Sequence, residues 1–226
     1  SDGQGGWGAD VQDGGSLTLR DTVLTEATTL GLFVSEQGSE AHLIDSVLAR
    51  TRTLPEGTYG RGVSVQQGAS LVVERSAITD HSDVAIVAFD PGTTVAISGS
   101  LVARTGARPD GTGGVGLTAL AGASFSLQDA MLVDHRMLGV LIEGGQSNLT
   151  ASGLLLTRTQ VSGDGTKGRG VQIQAGGNVV LERSSLMENH ELGASIYGAT
   201  TTVTFRDALV ARTQPRADGL RGRGLA

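Results

Sequence analysis

The chain has 226 residues and a formal net charge of −6, contains no cysteine and is rich in glycine, with 35 residues. The negative charge argues against a nucleic-acid partner, and without cysteine the chain has no disulfides and no thiol chemistry. No apolar run approaches the ~18 residues that a membrane-spanning helix needs, so we expect no insertion into a membrane.

Glycine marks an internal repeat of 54 residues. One series with this spacing is Gly8, Gly62, Gly116, Gly170 and Gly224. A second series with the same spacing divides each repeat into a short and a long coil: Gly31, Ala85, Gly139 and Gly193. Periods in this range predict a solenoid, in which each coil packs only against its neighbours.

The predicted domain is a single solenoid of about eight coils over residues 1–226. Its four two-coil repeats run over 8–61, 62–115, 116–169 and 170–223, and a further coil begins at 224–226. No capping segment is apparent at either end, although solenoids normally need one. We therefore expect the chain to be a segment of a larger protein.

Three short β-strands are predicted in each coil, because the apolar residues alternate with the period of a strand. When the coils are aligned, apolar residues fall into continuous columns. Examples from the first strand are Leu32, Val63 and Ile86, from the second Leu43, Val73 and Ile97, and from the third Leu48, Ile78 and Val102. Stacking these columns about 4.8 Å apart would form one core along the axis.

Small residues fill a column between the second and third strands, which predicts a tight corner there. The column is Thr22, Ser46, Ser76, Ser100, Ala130, Leu154, Ser184 and Ala208. Coil length, three strands per coil and stacked aliphatic columns together resemble the pectin-lyase-like superfamily over essentially the whole chain. The resemblance implies an all-β, right-handed, single-stranded parallel β-helix. The sequence departs from many members in having only three asparagines, Asn148, Asn178 and Asn189, too few for an asparagine ladder.

A column of charged residues follows the third strand and alternates in sign. This charge ladder is Glu26, Arg50, Asp80, Arg104, Asp134, Arg158, Glu188 and Arg212. Opposite charges on adjacent strands favour correct pairing, so we interpret the ladder as structural, fixing the register of the coils. The alternative is a charged groove for a polyanion. The alternation leaves open whether the ladder is buried or exposed.

The long coils carry an extra loop after each ladder arginine, at 51–61, 105–115, 159–169 and 213–223. We expect these loops to project from one edge. Each holds an acid followed by glycine, as do residues 2 and 3 at the start of the chain: Glu56-Gly57, Asp110-Gly111, Asp164-Gly165, Asp218-Gly219 and Asp2-Gly3. This pair is typical of a turn. Calcium needs six to eight oxygens and each loop offers one carboxylate, so we expect turns and no cofactor, with calcium as the alternative.

The short coils place acids and histidines together after the third strand. The candidate catalytic cluster is Asp80, His81, Asp83, Asp134, His135 and Arg136. Carboxylates and histidines that lie close together tune each other's pKa for acid–base chemistry. A solvated polar corner explains the same residues without catalysis, and an active site normally breaks a repeat that here stays in register throughout.

The outward positions of the first strand are less polar than expected. The candidate binding face is Phe33, Val87, Phe89, Leu120, Leu141 and Tyr197. An exposed apolar face of this kind marks a partner or ligand surface, and its aromatic rings can stack on sugar rings. The expected partners are a polysaccharide, another protein surface, or further copies of the chain associating end to end or face to face.

The resulting hypothesis is a non-enzymatic, structural or adhesive repeat segment of a secreted or cell-surface protein. The superfamily also contains polysaccharide lyases and glycosidases, so the resemblance implies a carbohydrate-active enzyme as the alternative. Fold alone does not choose between them.

Overall fold

The computed structural model describes residues 6–216, 218–220 and 222–226. Those residues form 25 β-strands in three parallel sheets and contain no helix. Successive strands enter the three sheets in turn, and neighbours within each sheet are three strands apart in sequence. The chain is therefore a right-handed parallel β-helix, which confirms the predicted fold class.

The strands are short and recur in the same order in every coil. The first sheet contains β1 (Gly6–Val11), β4 (Thr29–Ser35), β7 (Arg61–Gln66), β10 (Val84–Phe89), β13 (Val115–Leu120), β16 (Leu138–Glu143), β19 (Arg169–Gln174), β22 (Leu192–Tyr197) and β25 (Arg223–Leu225). The second contains β2 (Ser16–Arg20), β5 (Glu40–Ile44), β8 (Ser70–Glu74), β11 (Thr94–Ser98), β14 (Ser124–Gln128), β17 (Asn148–Ser152), β20 (Asn178–Glu182) and β23 (Thr202–Arg206). The third contains β3 (Val23–Thr25), β6 (Val47–Ala49), β9 (Ala77–Thr79), β12 (Leu101–Ala103), β15 (Met131–Val133), β18 (Leu155–Thr157), β21 (Ser185–Met187) and β24 (Leu209–Ala211).

The core follows the predicted apolar columns. In the first sheet Leu32 pairs in register with Val63, and Val63 with Ile86, and all three are fully buried. Alternate side chains of each strand point inward, so a one-residue slip would expose the whole apolar set. The hydrophobic pattern thus fixes the register along the axis.

The corner between the second and third sheets has the same backbone conformation in every coil. The residue that follows the second strand has a left-handed backbone, as at Asp45 (φ 51°) and Arg75 (φ 46°). The small residue that follows turns inward, and its hydroxyl bridges neighbouring coils: Ser76 Oγ accepts from the Ser46 N–H at 3.0 Å. Leu154 replaces a small residue in this column and is accommodated in the hydrophobic core, 1% exposed.

The first extra loop differs from the expectation that the loops project from one edge. In the first repeat, Leu54 and Tyr59 of the loop line a groove together with Phe33 of the first sheet. The loop therefore folds back over the outward face of that sheet. The physical reason is Leu54, an apolar residue in a polar loop, which is 8% exposed after folding. The predicted Asp2-Gly3 turn lies outside the described residues.

The described part of the chain contains no helix that is long and apolar enough to cross a membrane.

Candidate functional site

The charge ladder lies on the outside of the solenoid, at the corner between the third and first sheets. The backbone at every ladder residue has a left-handed conformation, for example at Asp80 (φ 63°) and Arg104 (φ 55°). The left-handed turn directs these side chains outward, and their exposed fractions are between 37% and 59%. Counting alternate positions from the third strand would have put the ladder inside, and the turn explains why that count fails here.

Within the ladder, each acid binds the arginine of the following coil. Arg104 donates two hydrogen bonds to Asp80, at 2.7 and 2.8 Å, and Arg158 binds Asp134 in the same way, at 2.8 and 2.9 Å. These hydrogen bonds hold the pKa of Asp80 and of Asp134 below the usual range. Both carboxylates stay ionised at neutral pH and are occupied by guanidinium groups, which makes them poor general acids. The role of the ladder in fixing register stays a prediction.

The residue after each of the six central ladder positions, from Arg50 to Glu188, points inward, and together these residues form a buried polar column. This inner polar column is Thr51, His81, Thr105, His135, Thr159 and Asn189, each at most 1% exposed. The Thr51 N–H donates to His81 Nδ1 at 3.3 Å, and the Thr159 N–H donates to Asn189 Oδ1 at 3.0 Å. The stacked glycines make room for it, because a Cβ on Gly116 would lie 2.7 Å from His135 Nε2.

Burial determines the charge of the two histidines. Loss of hydration lowers the pKa of His81 and of His135 to about 4, so both imidazoles are neutral at pH 7. The expectation of a solvated polar corner is therefore wrong for these two residues. The left-handed turn at Asp80 and Asp134 sends each acid outward and the next residue into the core.

The six residues of the candidate catalytic cluster do not meet at one place. Asp80 and Asp134 lie in exposed ion pairs, whereas His81 and His135 are buried in the inner polar column. Asp83 is buried under a loop, and Arg136 is exposed. The sequence neighbours are separated because consecutive residues at this corner point to different sides of the wall.

A groove of about 1160 Å³ lies between the first loop and the outward face of the first sheet. Its aromatic side is formed by Trp7, Phe33 and Tyr59. The ring centroids of Trp7 and Phe33 are 5.0 Å apart with planes at 48°, and Trp7 and Tyr59 are about half exposed. The groove therefore presents aromatic surface to solvent.

The other side of the groove carries a cluster of two arginines around one buried acid. Asp83, with its side chain 8% exposed, accepts from Arg61 Nε at 3.3 Å, and Arg108 Nε lies 3.6 Å from its other oxygen. Arg61 also lies over the ring of Phe89, 6.0 Å from its centroid. Two guanidinium groups therefore share one buried carboxylate, while Glu56 lines the groove from the loop.

The same cluster recurs two repeats later and is replaced by uncharged residues in between. Arg169 donates to Glu191 at 2.8 and 3.1 Å, Arg216 lies 4.0 Å from the same carboxylate, and Arg169 lies 5.6 Å from the Tyr197 ring. In the intervening repeat the corresponding residues are Val115, Met137 and Ser162.

The residues of the candidate binding face are distributed unequally. Phe33 lines the groove, and Phe89 packs under Arg61. Tyr197 is 41% exposed, whereas Val87 is 2% exposed and offers no contact surface. Leu120 and Leu141 are half-buried in the same sheet.

Sequence reasoning missed Trp7, Tyr59, Arg61 and Arg108 as groove residues. Trp7 and Arg61 lie on strands of different coils, whereas Tyr59 and Arg108 lie in the extra loops of two different repeats. Spacing along the sequence therefore does not reveal that these residues are close together. The signal that would have found them is Leu54, whose position in a polar loop indicates that the loop packs against the wall.

The loop carboxylates bind within their own loops. Asp110 Oδ1 accepts from the N–H and the hydroxyl of Thr112, at 2.8 and 2.6 Å. Asp164 accepts from Ser162 and Thr166 in the same manner, and these hydrogen bonds lower its pKa to about 2. Across the described ranges, no three His, Asp or Glu residues are grouped so that they would hold a metal ion.

The architecture defines the chain as a protein of the pectin-lyase-like fold. It is similar in structure to pectate lyase Pel9A, with a TM-score of 0.52 and 17% sequence identity over 90% of this chain and 53% of that one. The chain thus spans about half the length of that enzyme, and the likeness concerns the fold alone. No protein-family model matches the sequence, and no curated protein matches it.

Proposed function

We propose that this chain is a non-enzymatic carbohydrate-binding segment of a secreted or cell-surface protein, and that the groove on the first sheet holds the polysaccharide. The observation that carries the proposal is the pairing of exposed aromatic rings with arginines in one groove. Flat rings at Trp7 and Tyr59 offer stacking surface for sugar rings, while Arg61 and Arg108 offer hydrogen-bond donors to hydroxyl or carboxylate groups.

The groove is preorganised for binding. Asp83 and the Phe89 ring restrain Arg61, while hydrogen bonds to the Thr112 hydroxyl restrain Arg108. Side chains held in place lose little conformational entropy when a ligand arrives, which favours affinity. An extracellular polysaccharide as ligand is consistent with a location outside the cell.

The second candidate function is a polysaccharide lyase or glycosidase, which the likeness to a pectate lyase favours. Against it, the two carboxylates that line the groove already have partners: Asp83 lies against two arginines, and Glu56 accepts a hydrogen bond from the Thr58 hydroxyl. The two histidines nearby in sequence are buried in the core. A general base must reach its proton, and these groups are either occupied or enclosed. Binding without turnover is therefore the expected behaviour.

Incubation with a panel of neutral and acidic polysaccharides tests the proposal. We expect retention of the protein on at least one polymer, with no new reducing ends and no unsaturated uronate. Tyr59→Ala is expected to weaken retention by about tenfold, since loss of one stacked ring costs roughly 1 kcal/mol or more. Tyr59 is 51% exposed, so this variant is expected to fold normally.

Tyr197→Ala is the matched control, because Tyr197 is an exposed aromatic residue of the same sheet that lies outside the residues lining the groove. Equal losses in both variants would move the binding site to the wider face of the sheet. Turnover that disappears in a folded Asp83→Asn variant would establish an enzyme. If the protein is not retained on any polymer and turns none of them over, carbohydrate binding is contradicted.

A further inference from the structure

The outward face of the third sheet carries a stripe of exposed apolar side chains. Strands β3, β6, β15 and β24 place Val23, Val47, Met131 and Leu209 on this face, and these residues are 66%, 36%, 44% and 50% exposed. Half-buried Leu101 of β12 and Leu155 of β18 continue the stripe between them. It runs parallel to the solenoid axis on a different sheet from the proposed groove, and at the β9 and β21 levels the column carries the small residues Ala77 and Ser185.

The charge ladder forms one rim of this stripe and is self-complementary under reversal. The third sheet has eight strands, and the ladder alternates from an acid at the first strand to an arginine at the last. Reversing the order of eight alternating charges therefore changes the sign at every level. A second copy turned end for end would place an arginine opposite every acid.

We propose that two copies of this chain pair face to face through the third sheet, antiparallel, about a two-fold axis between the β12 and β15 levels. The axis places Arg104 opposite Asp134 of the second copy, and Asp80 opposite Arg158. Met131 of one copy then packs against Leu101 of the other at the centre of the stripe. One patch meets its own copy, which is the defining property of a two-fold interface.

The charges select the register as well as the orientation. A slip of one coil, about 4.8 Å, would place acid on acid and arginine on arginine, in alternation, along the whole rim. A slip of two coils restores opposite charges but leaves two apolar levels of each copy uncovered. The opposite rim carries Asp45, Arg75 and Asp129 without regular alternation, so the ladder side determines the pairing.

The size of the surface sets the expected affinity. Eight coils span roughly 34 Å, and a strand with its two flanking corners is about 16 Å wide. Each copy then buries on the order of 550 Å², which for the pair lies at the low end of specific interfaces. We expect a dimer with a dissociation constant in the micromolar range that weakens as salt is added.

Sedimentation equilibrium over a concentration series tests the pairing with two charge variants that are complementary. In one, Arg104→Glu and Arg158→Glu make the central ladder acidic; in the other, Asp80→Arg and Asp134→Arg make it basic. Each variant alone is expected to raise the dimer dissociation constant more than tenfold, because like charges face each other. An equimolar mixture is expected to dimerise again. A purely intramolecular role of the ladder cannot produce that rescue.

Met131→Glu tests the apolar stripe without altering the ladder. Because Met131 is exposed, the monomer is expected to fold. We expect the dimer dissociation constant to rise about tenfold or more. Arg206→Glu, which breaks the Glu182–Arg206 ion pair on the second sheet, is the matched control and should leave the dimer unchanged. A wild-type chain that stays monomeric throughout the series overturns the proposal. So does a mixture of folded charge variants that fails to pair.

Discussion

Replacing both buried histidines by asparagine, as His81→Asn with His135→Asn, is expected to abolish most of the loss of stability that the wild-type chain undergoes when the pH falls from 6.5 to 4. Burial lowers the pKa of both imidazoles to about 4, against about 6.5 in the unfolded chain. Between these values the unfolded state binds more protons, so the free energy of unfolding falls as the pH falls. Each histidine accounts for about 3 kcal/mol over this window.

Asparagine is the natural replacement, because Asn189 occupies the same inner polar column and accepts the equivalent backbone hydrogen bond from Thr159. Urea unfolding at a series of pH values between 7 and 4 measures the effect. His42→Asn serves as the control, since His42 is half-buried on the outside of the second sheet. A double variant that is as acid-sensitive as the wild type would show that the histidines are not buried as described.

Truncating Glu191 to alanine is expected to lower the free energy of unfolding by about 3–5 kcal/mol, because it leaves the Arg169 and Arg216 charges without their buried partner. The side chain of Glu191 is 1% exposed, and those of the arginines are 13% and 15% exposed. This is one of the largest losses expected from a single polar substitution in the chain.

The repeat itself supplies the matched replacement. Arg169→Val, Glu191→Met and Arg216→Ser together install the residues found one repeat earlier. Two of the three installed residues are apolar, and the third, serine, is uncharged. Exchanging a buried ionic cluster for packed apolar residues is often neutral, so the triple variant is expected to lie within about 1 kcal/mol of the wild type. Chemical denaturation of both variants measures the difference. A triple variant as unstable as Glu191→Ala would contradict this expectation. It would mean that the ionic cluster makes a net contribution to stability, beyond avoiding the cost of unpaired buried charges.

The fold was predictable because it rests on periodicity. Leu32, Val63 and Ile86 recur at fixed spacing, and such columns form a continuous core only when coils stack. The glycine repeat set the coil length independently of the apolar pattern. Two signals that agree on one architecture leave few alternatives.

The site was less predictable because its geometry depends on single backbone conformations. Assigning alternate residues to the inside and the outside assumes an extended backbone. The left-handed conformation at Asp80 and Asp134 breaks that assumption. The cluster around Asp83 joins Arg61 and Arg108 from different coils, and no spacing rule links three such positions. The inner polar column was hidden for the same reason, since His81 follows a turn that reverses its direction.

Fluorescence of the single tryptophan tests the central claim most directly, because Trp7 lines the proposed groove beside Phe33. Oligosaccharides from the retained polymer would be titrated into the wild-type chain and into Tyr59→Ala. We expect a saturable change in Trp7 emission in the wild type, with an affinity about tenfold weaker in the variant. A ligand that binds the protein while leaving Trp7 emission unchanged, with equal affinity for both chains, would contradict the assignment of the groove as the carbohydrate site.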